Sequence, residues 1–187
     1  GLAAREDVAY IAPDRPVKGQ FNLTNDTTGA TQVQEGTGSI PGFDGKGIGI
    51  AILDSGVSAN HPDFIRNNNS RVVASVDFSG STRSGDADGH GTGVAGVAAG
   101  SGQASTGYAA NYAGVAPGAD VIDVRVLDEH GMGRTSNVLS AIAWVGFIVV
   151  VLWTIAFLAG VVVPHAVDGP ARTTTEFAVA ADLALLG

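Results

Sequence analysis

An aspartate and a histidine are the two side chains of this sequence best suited to carry chemistry. Asp54 directly follows an apolar run and begins the tripeptide Asp-Ser-Gly, and His90 lies 36 residues later between two glycines. A histidine exchanges protons near neutral pH, and a buried carboxylate can orient its ring and stabilise its charged form. Acid–base chemistry at a carboxylate-supported histidine is therefore the first hypothesis. Each residue also has an ordinary interpretation, Asp54 as a turn carboxylate and His90 as a surface histidine in a loop.

Three other motifs fail because of their surroundings. Residues 91–96 satisfy G-x-G-x-x-G, but a dinucleotide motif follows directly on a strand, and residues 79–90 are polar throughout. A nucleotide-binding enzyme therefore stays a remote alternative. Asp86-Ala87-Asp88-Gly89 begins like a calcium loop but lacks the later ligands and the closing glutamate. The four histidines show no zinc spacing, so no metal site is predicted.

The composition excludes several classes of protein. The 187 residues include ten Lys and Arg against 18 Asp and Glu, and the net charge of -8 argues against a nucleic-acid groove. The absence of cysteine removes disulfides, thiolate metal sites and cysteine nucleophiles. With 45% hydrophobic and 15% charged residues the composition is that of a folded protein, and the length fits one domain. The first residues show neither the basic nor the apolar segment of a secretory signal peptide.

Three short apolar runs and two helix signals predict an α/β domain. The runs, which have the apolar or β-branched character of strands buried in a parallel sheet, are residues 47–53, 71–78 and 121–127. Residues 92–99 predict a helix of small side chains, and a further helix is predicted to begin near Thr135. The fold class is therefore α/β, a parallel sheet with flanking helices. Asp54 then lies at the carboxyl end of a strand, where such sheets place their ligands.

The two ends of the chain have other compositions. Residues 19–40 are polar and rich in Thr, Gly, Asn and Gln, which is typical of a linker without regular structure. Residues 141–163 carry almost only apolar side chains, so a transmembrane helix is predicted there, with a buried core helix as the alternative. Residues 164–187 are interpreted as a tail, which leaves the sheet incomplete and one of its edges exposed.

Several segments follow one another in a characteristic order. Asp54-Ser55-Gly56 closes the first strand and His90-Gly91-Thr92 opens the helix. The other segments are Phe43–Gly47 before the first strand, Asn60–Phe64 after the aspartate turn and Ala113–Pro117 before the third strand. In this order they resemble the subtilisin-like serine peptidases, the subtilases of peptidase family S8, over roughly residues 33–145. Gly93 departs from the pattern, because many members carry a second histidine there.

The resemblance implies a subdivision of the chain. Residues 8–14 are similar to the end of the inhibitory propeptide that precedes many subtilase domains. The implied segments are the end of a propeptide (1–18), a linker (19–40), the N-terminal part of the catalytic domain (41–145), the transmembrane helix (141–163) and the tail (164–187).

The resemblance also implies a chemistry. Asp54 would orient and electrostatically support His90, which would act as general base and then general acid toward a serine, hydrolysing peptide bonds through an acyl-enzyme. The implied partners are a protein or peptide substrate and the propeptide, with a membrane as a further one and no nucleic acid. The implied location is secreted or in the cell envelope. The family admits bound calcium, but no residues here support a calcium site, and no cofactor is predicted.

Two parts of the family's catalytic site are not found. The nucleophile would lie in Gly-Thr-Ser-x-Ala and an asparagine would donate to the oxyanion, but the last serine is Ser140 and the last asparagine is Asn137. No Gly-Thr-Ser occurs in the sequence. The expectation is a serine endopeptidase by family that is inactive as written. The alternative is a membrane-anchored, non-catalytic module that binds rather than cuts.

Overall fold

The structure, a computed structural model, describes residues 21–108, 110, 112–158 and 176–181. Its elements are α1 (Phe21–Thr28), α2 (Ala30–Glu35), β1 (Ile48–Asp54), β2 (Ile65–Arg66), β3 (Asn69–Ser70), β4 (Val72–Asp77), α3 (His90–Ala99), β5 (Asp120–Arg125), α4 (Thr135–Leu158) and β6 (Glu176–Ala181). Short 3₁₀ helices cover Pro62–Phe64 and Gln103–Ser105. The predicted alternation of strands and helices is confirmed for β1, β4, α3 and β5.

The main sheet has four strands in the order β4-β5-β1-β6, and all of them run parallel. Asp54 is paired with Arg125 in the register of β1 and β5. Six of the seven residues of β1 are buried, because both faces of this central strand are covered. A strand buried on both faces needs apolar side chains at successive positions, which is why the sequence of β1 is continuously apolar. The parallel sheet predicted from the sequence is therefore confirmed.

Each face of the sheet carries its own core. On one face Ile52 packs in a cluster with Ala95 of α3, and on the other Leu53 and Val124 pack with Ala141 of α4. Neighbouring residues of a strand point to opposite faces, which is why Ile52 and Leu53 belong to different clusters. The small side chains of α3 let that helix lie close to the sheet. The two helices hold β1 between them.

The structure corrects the expectation that residues 19–40 have no regular structure. Helices α1 and α2 lie within this range, and their side-chain amides bind a loop of the domain. Gln34 Nε2 donates to the carbonyl oxygens of Gly114 and Val115, both at 2.9 Å, and Asn25 Nδ2 donates to that of Ala113, also at 2.9 Å. Asn and Gln side chains are typical of solvated linkers, and they suggested one here. In the structure their amides donate to backbone carbonyls of the domain instead.

The structure also corrects part of the predicted tail. Residues 176–181 form β6, which pairs with β1 from Ile48↔Glu176 to Leu53↔Ala181. The edge of β1 expected to be exposed is therefore covered. The proposed propeptide remnant and the rest of the tail lie outside the described residues.

Helix α4 packs one side against the core and exposes the other. Ala141 and Val145 are 0% and 5% exposed, whereas Phe147 is 64% exposed. Within the described part of the chain, one helix is long and apolar enough to cross a membrane, and only 11% of its Thr135–Leu152 window is buried. The buried side at Ala141 and Val145 fits the core-helix alternative, and the exposed side leaves the membrane alternative open. Residues 159–163 of the predicted span lie outside the described residues.

Candidate active site

Asp54 is a buried carboxylate held at the carboxyl end of β1. It is 1% exposed, and its Oδ1 accepts a hydrogen bond from the backbone N–H of Ser55 at 2.7 Å. Its carbonyl oxygen accepts the N–H of Val126 at 2.8 Å, which continues the ladder with β5. Because strand pairing fixes its backbone, the direction of this side chain is set by the sheet.

His90, the first residue of α3, meets that carboxylate. Its Nδ1 lies 2.8 Å from Asp54 Oδ1 and 3.0 Å from Oδ2. The carboxylate can only accept, so Nδ1 carries the proton and Nε2 is the nitrogen suited to receive another one. The side chain of His90 is 54% exposed and that of Asp54 1%, so a solvent-facing ring rests on a buried charge. The structure thus places the two predicted site residues in contact.

Glycines around the histidine permit this contact. A Cβ on Gly91 would overlap the carbonyl oxygen of Gly56 and lie 3.0 Å from the Cβ of Asp54. Gly89, just before the helix, has φ +90°, a conformation that side-chain-bearing residues rarely adopt. Glycines on either side of His90 therefore let α3 begin directly against the aspartate turn.

A second aspartate in the site was missed by the sequence reasoning. Asp86 Oδ1 accepts from Ser55 Oγ at 2.8 Å and from the N–H of Gly89 at 2.9 Å, while Oδ2 accepts the N–H of Thr92 at 2.7 Å. Burial raises the pKa of Asp86, but hydrogen bonds from Thr92, Ser55 and Gly89 outweigh it and leave the pKa below its usual value. The signal in the sequence is an aspartate four residues before a helix whose preceding residue is a glycine.

The loop after β5 lies beside the loop that precedes α3. Asp128 Oδ1 accepts the N–H groups of His130 at 2.9 Å and Met132 at 3.0 Å, and hydrogen bonds from Met132 and His130 lower the pKa of Asp128. The carboxylate of Asp88 faces Gly131 of this loop. One loop follows β5 and the other precedes α3, and both lie at the end of the sheet where Asp54 ends β1.

The remaining motifs serve no separate site. Residues 91–96 lie inside α3, so the G-x-G-x-x-G sequence forms no strand-to-helix turn. The carboxylate of Asp86, which begins the apparent calcium loop, is occupied by protein donors. The described residues contain no group of three metal-ligating side chains.

A cavity of about 550 Å³ lies at the opposite end of the sheet from the pair. It is lined by Arg66 and Arg71, which precede β4, and by the exposed Tyr108. Arg66 pairs with Asp120 at 2.7 Å, and Arg71 donates to backbone carbonyls, among them that of Ala99 at 2.7 Å. Both guanidinium groups are therefore bound by other groups of the protein. The cavity is separate from the Asp54–His90 site because it lies at the other end of the sheet.

Residues 45–152, more than half of the chain, match the Subtilase family, peptidase S8. The chain belongs to the subtilase family. This subtilase chain is 37% identical to Subtilisin-like protease 3 of Pseudogymnoascus destructans over 148 residues, which are 73% of the chain and 33% of that relative. It is 32% identical to Serine protease AprX of Bacillus subtilis over 144 residues, 76% of the chain and 30% of AprX.

The subtilase chain spans about a third of the length of these relatives. A solved structure, described as a cold adapted subtilisin-like serine proteinase, is 34% identical and covers 63% of this chain and 40% of that one, with a TM-score of 0.46. Asp54 and His90 both lie within the family match. The match ends at residue 152, inside α4, and so includes the first part of the apolar segment.

Proposed function

We propose that this chain carries the aspartate–histidine part of a serine endopeptidase site. The observation that carries the proposal is the 2.8 Å contact between His90 Nδ1 and Asp54 Oδ1, formed where β1 ends and α3 begins. The contact joins an exposed ring to a buried carboxylate inside the family match. A general base needs this arrangement, since the carboxylate fixes the ring and stabilises its protonated form.

In the proposed reaction His90 acts twice. Its Nε2 takes the proton of a serine hydroxyl as that oxygen attacks a peptide carbonyl, and it then returns the proton to the leaving amine. Asp54 stays ionised and stabilises the imidazolium formed in between. A water molecule, deprotonated by His90, then attacks the acyl-enzyme and releases the carboxylic acid and the serine hydroxyl. The proposed substrates are proteins or peptides.

No serine of this chain lies in the Gly-Thr-Ser-x-Ala setting expected of the nucleophile. The last serine, Ser140, lies in the second turn of α4, and no Gly-Thr-Ser occurs anywhere. We propose that the chain as written does not hydrolyse peptide bonds. Loss of the serine alone lowers kcat about 10⁶-fold in subtilisin, a member of the same family.

A chimera tests the proposed roles. Residues 45–145 of this chain would replace the matched segment of Serine protease AprX, whose own remaining sequence supplies the rest of the enzyme. We expect the chimera to hydrolyse a chromogenic peptide, with kcat falling about 10⁶-fold in His90→Ala and about 3 × 10⁴-fold in Asp54→Ala. His61→Ala is the matched control, since its ring accepts the N–H of Asp63 and packs against Phe64. Equal activities of the His90→Ala and His61→Ala chimeras would refute the proposal.

A second candidate function is favoured by the exposed apolar side of α4. Phe147, Val150 and Ile155 are 64%, 63% and 57% exposed, and no charged side chain occurs from residue 135 to 167. Such a surface suits a membrane-anchored module that binds without cutting. Flotation with phosphatidylcholine vesicles separates the two candidates, because an anchored chain floats with the lipid and a water-exposed domain stays below.

The proposed location is outside the cytoplasm, secreted or in the cell envelope. The absence of cysteine fits a secreted bacterial peptidase that is stable without disulfides. Fractionation of cells expressing the native gene, followed by immunodetection, tests this location.

A further inference from the structure

We propose that Asp86 is a positioning residue that holds His90 against Asp54, an inference that rests on the proposed role of that pair. Asp86 acts through the backbone on both sides of His90 and through Ser55, the residue next to Asp54.

The first argument is the capping of α3. Gly89 precedes the helix and has no side chain with which to bind the unsatisfied N–H groups of the first turn. Asp86 supplies that acceptor, binding the N–H of Gly89 at 2.9 Å and that of Thr92 at 2.7 Å. These two N–H groups flank His90 in sequence. One carboxylate therefore fixes the backbone before and after the histidine.

The second argument is the bridge to the aspartate turn. Ser55 Oγ donates to Asp86 at 2.8 Å and accepts the N–H of Gly91 at 2.9 Å, while the Ser55 N–H donates to Asp54 at 2.7 Å. Ser55 is fully buried, so no water competes for these bonds. The hydroxyl can donate in only one direction, and the carboxylate of Asp86 takes that proton. Asp86 thereby sets the orientation of the residue that joins Asp54 to α3.

The third argument is the charge of Asp86. The hydrogen bonds that it accepts keep its carboxyl ionised, and an anion at a helix N-terminus is favourable. Thr92 reinforces the same junction, because its Oγ1 accepts the N–H of Ser58 at 3.0 Å. The turn after β1 and the start of α3 are thus joined by several bonds that converge on Asp86.

The test is NMR of the full chain with ¹⁵N-labelled histidine. The Nδ1 proton of His90, assigned with His90→Gln, gives a strongly downfield resonance when it is bound to Asp54. In Asp86→Ala we expect its exchange rate with water to rise roughly tenfold or more, as the loss of a charge-assisted hydrogen bond predicts. Asp88→Asn is the matched control, because it removes a charge from the same loop without removing an acceptor of α3. The folded fraction of every variant is measured by denaturant unfolding.

Each outcome decides the proposal. Faster exchange in Asp86→Ala and unchanged exchange in Asp88→Asn support it, whereas unchanged exchange in a folded Asp86→Ala protein overturns it. Similar effects of both substitutions also overturn it, because loop charge alone then explains them. If Asp86→Ala does not fold, Asp86→Asn is decisive, since its amide cannot accept from both Gly89 and Thr92 while receiving the Ser55 proton. A parent chain without the downfield resonance contradicts the proposed Asp54–His90 pair itself.

Discussion

The Asp54–His90 contact depends on the absence of a side chain at its neighbour Gly91. The space beside Gly91 is filled by the carbonyl of Gly56 and by Asp54. At Gly93 no described atom outside the helix backbone lies within 4 Å of a Cβ. Both glycines lie in α3, so the two positions differ in packing and not in secondary structure.

This difference predicts opposite effects of one substitution. Gly91→Ala must push α3 away from the aspartate turn, and we expect it to cost about 1–3 kcal/mol and to weaken the His90–Asp54 bond. Gly93→Ala meets no obstacle, and we expect a gain of up to about 1 kcal/mol from the lower entropy of the unfolded chain. Denaturant unfolding measures both. Equal stabilities of the two variants would show that Gly91 is not in close contact.

A buried aspartate in β5 gives the protein a dependence on pH. Asp123 is 6% exposed, and Ser75 Oγ donates to its Oδ2 at 2.7 Å. Burial raises the pKa of Asp123. Because the folded state then holds this proton more tightly than the unfolded chain, the free energy of unfolding falls as the pH rises through the raised pKa.

Asp123→Asn, which has no proton to lose, therefore gains stability over the parent as the pH rises. We expect a gain of about 1 kcal/mol or more at neutral pH that disappears in acid, measured by urea unfolding across that range. Asp86→Asn is the control of opposite sign. The lowered pKa of Asp86 stabilises the fold above its unfolded pKa, and this contribution is lost as the pH falls. A gain in Asp123→Asn that does not change with pH would contradict the account.

At the scale of single residues, the sequence predicts Asp54 and His90, which the structure brings into contact, but not the contacts of Asp86. The pair could be found because each residue ends or begins a regular element. Asp86 and Asp88 lie in the same polar loop, four and two residues before His90, and this difference in spacing from α3 is a weak signal for choosing between them. Only the folded chain shows that one of them binds α3 while the other faces Gly131.

At the scale of elements, α4 combines two environments in one helix. Val145 is 5% exposed in the core of the sheet, and Phe147, two residues later, is 64% exposed. Apolar composition alone does not separate these faces, since both are apolar. The sequence therefore predicted a membrane span from a segment whose first turns cover the sheet.

Aspartate scanning separates the two environments. Val145→Asp buries a charge against the sheet, and we expect it to cost about 3 kcal/mol or more, whereas Phe147→Asp changes stability by less than about 0.5 kcal/mol. Denaturant unfolding in detergent-free buffer is the measurement. A membrane-spanning helix predicts instead that both substitutions impair association with vesicles to a similar degree, because either charge lies within the apolar span.

At the scale of the whole molecule, long-range pairing completes the sheet. β6 pairs with β1 although more than 120 residues of sequence separate them, and α1 and α2 bind the loop at 113–115. Local composition cannot reveal either contact, which is why one segment was interpreted as a tail and the other as a linker. The alternation of β1, α3 and β5 was predictable because those elements carry their own hydrophobic patterns.

Truncation tests the contribution of β6. Removal of residues 176–187 opens the edge of β1, and we expect a loss of roughly 2 kcal/mol or more in unfolding free energy together with self-association. Removal of 182–187 alone retains β6 and is the matched control. Size-exclusion chromatography and thermal unfolding compare the two chains. Identical behaviour of both truncated chains would exclude a stabilising role for β6.

The central claim is that a subtilase aspartate–histidine pair is formed in a chain that carries no activated serine. Intact-mass measurement after treatment with a fluorophosphonate, which reacts with activated serines, tests it most directly. The account predicts no adduct on the full chain and one adduct on the chimera with Serine protease AprX, lost in its His90→Ala variant. A covalent adduct at any serine of the full chain itself would contradict the account.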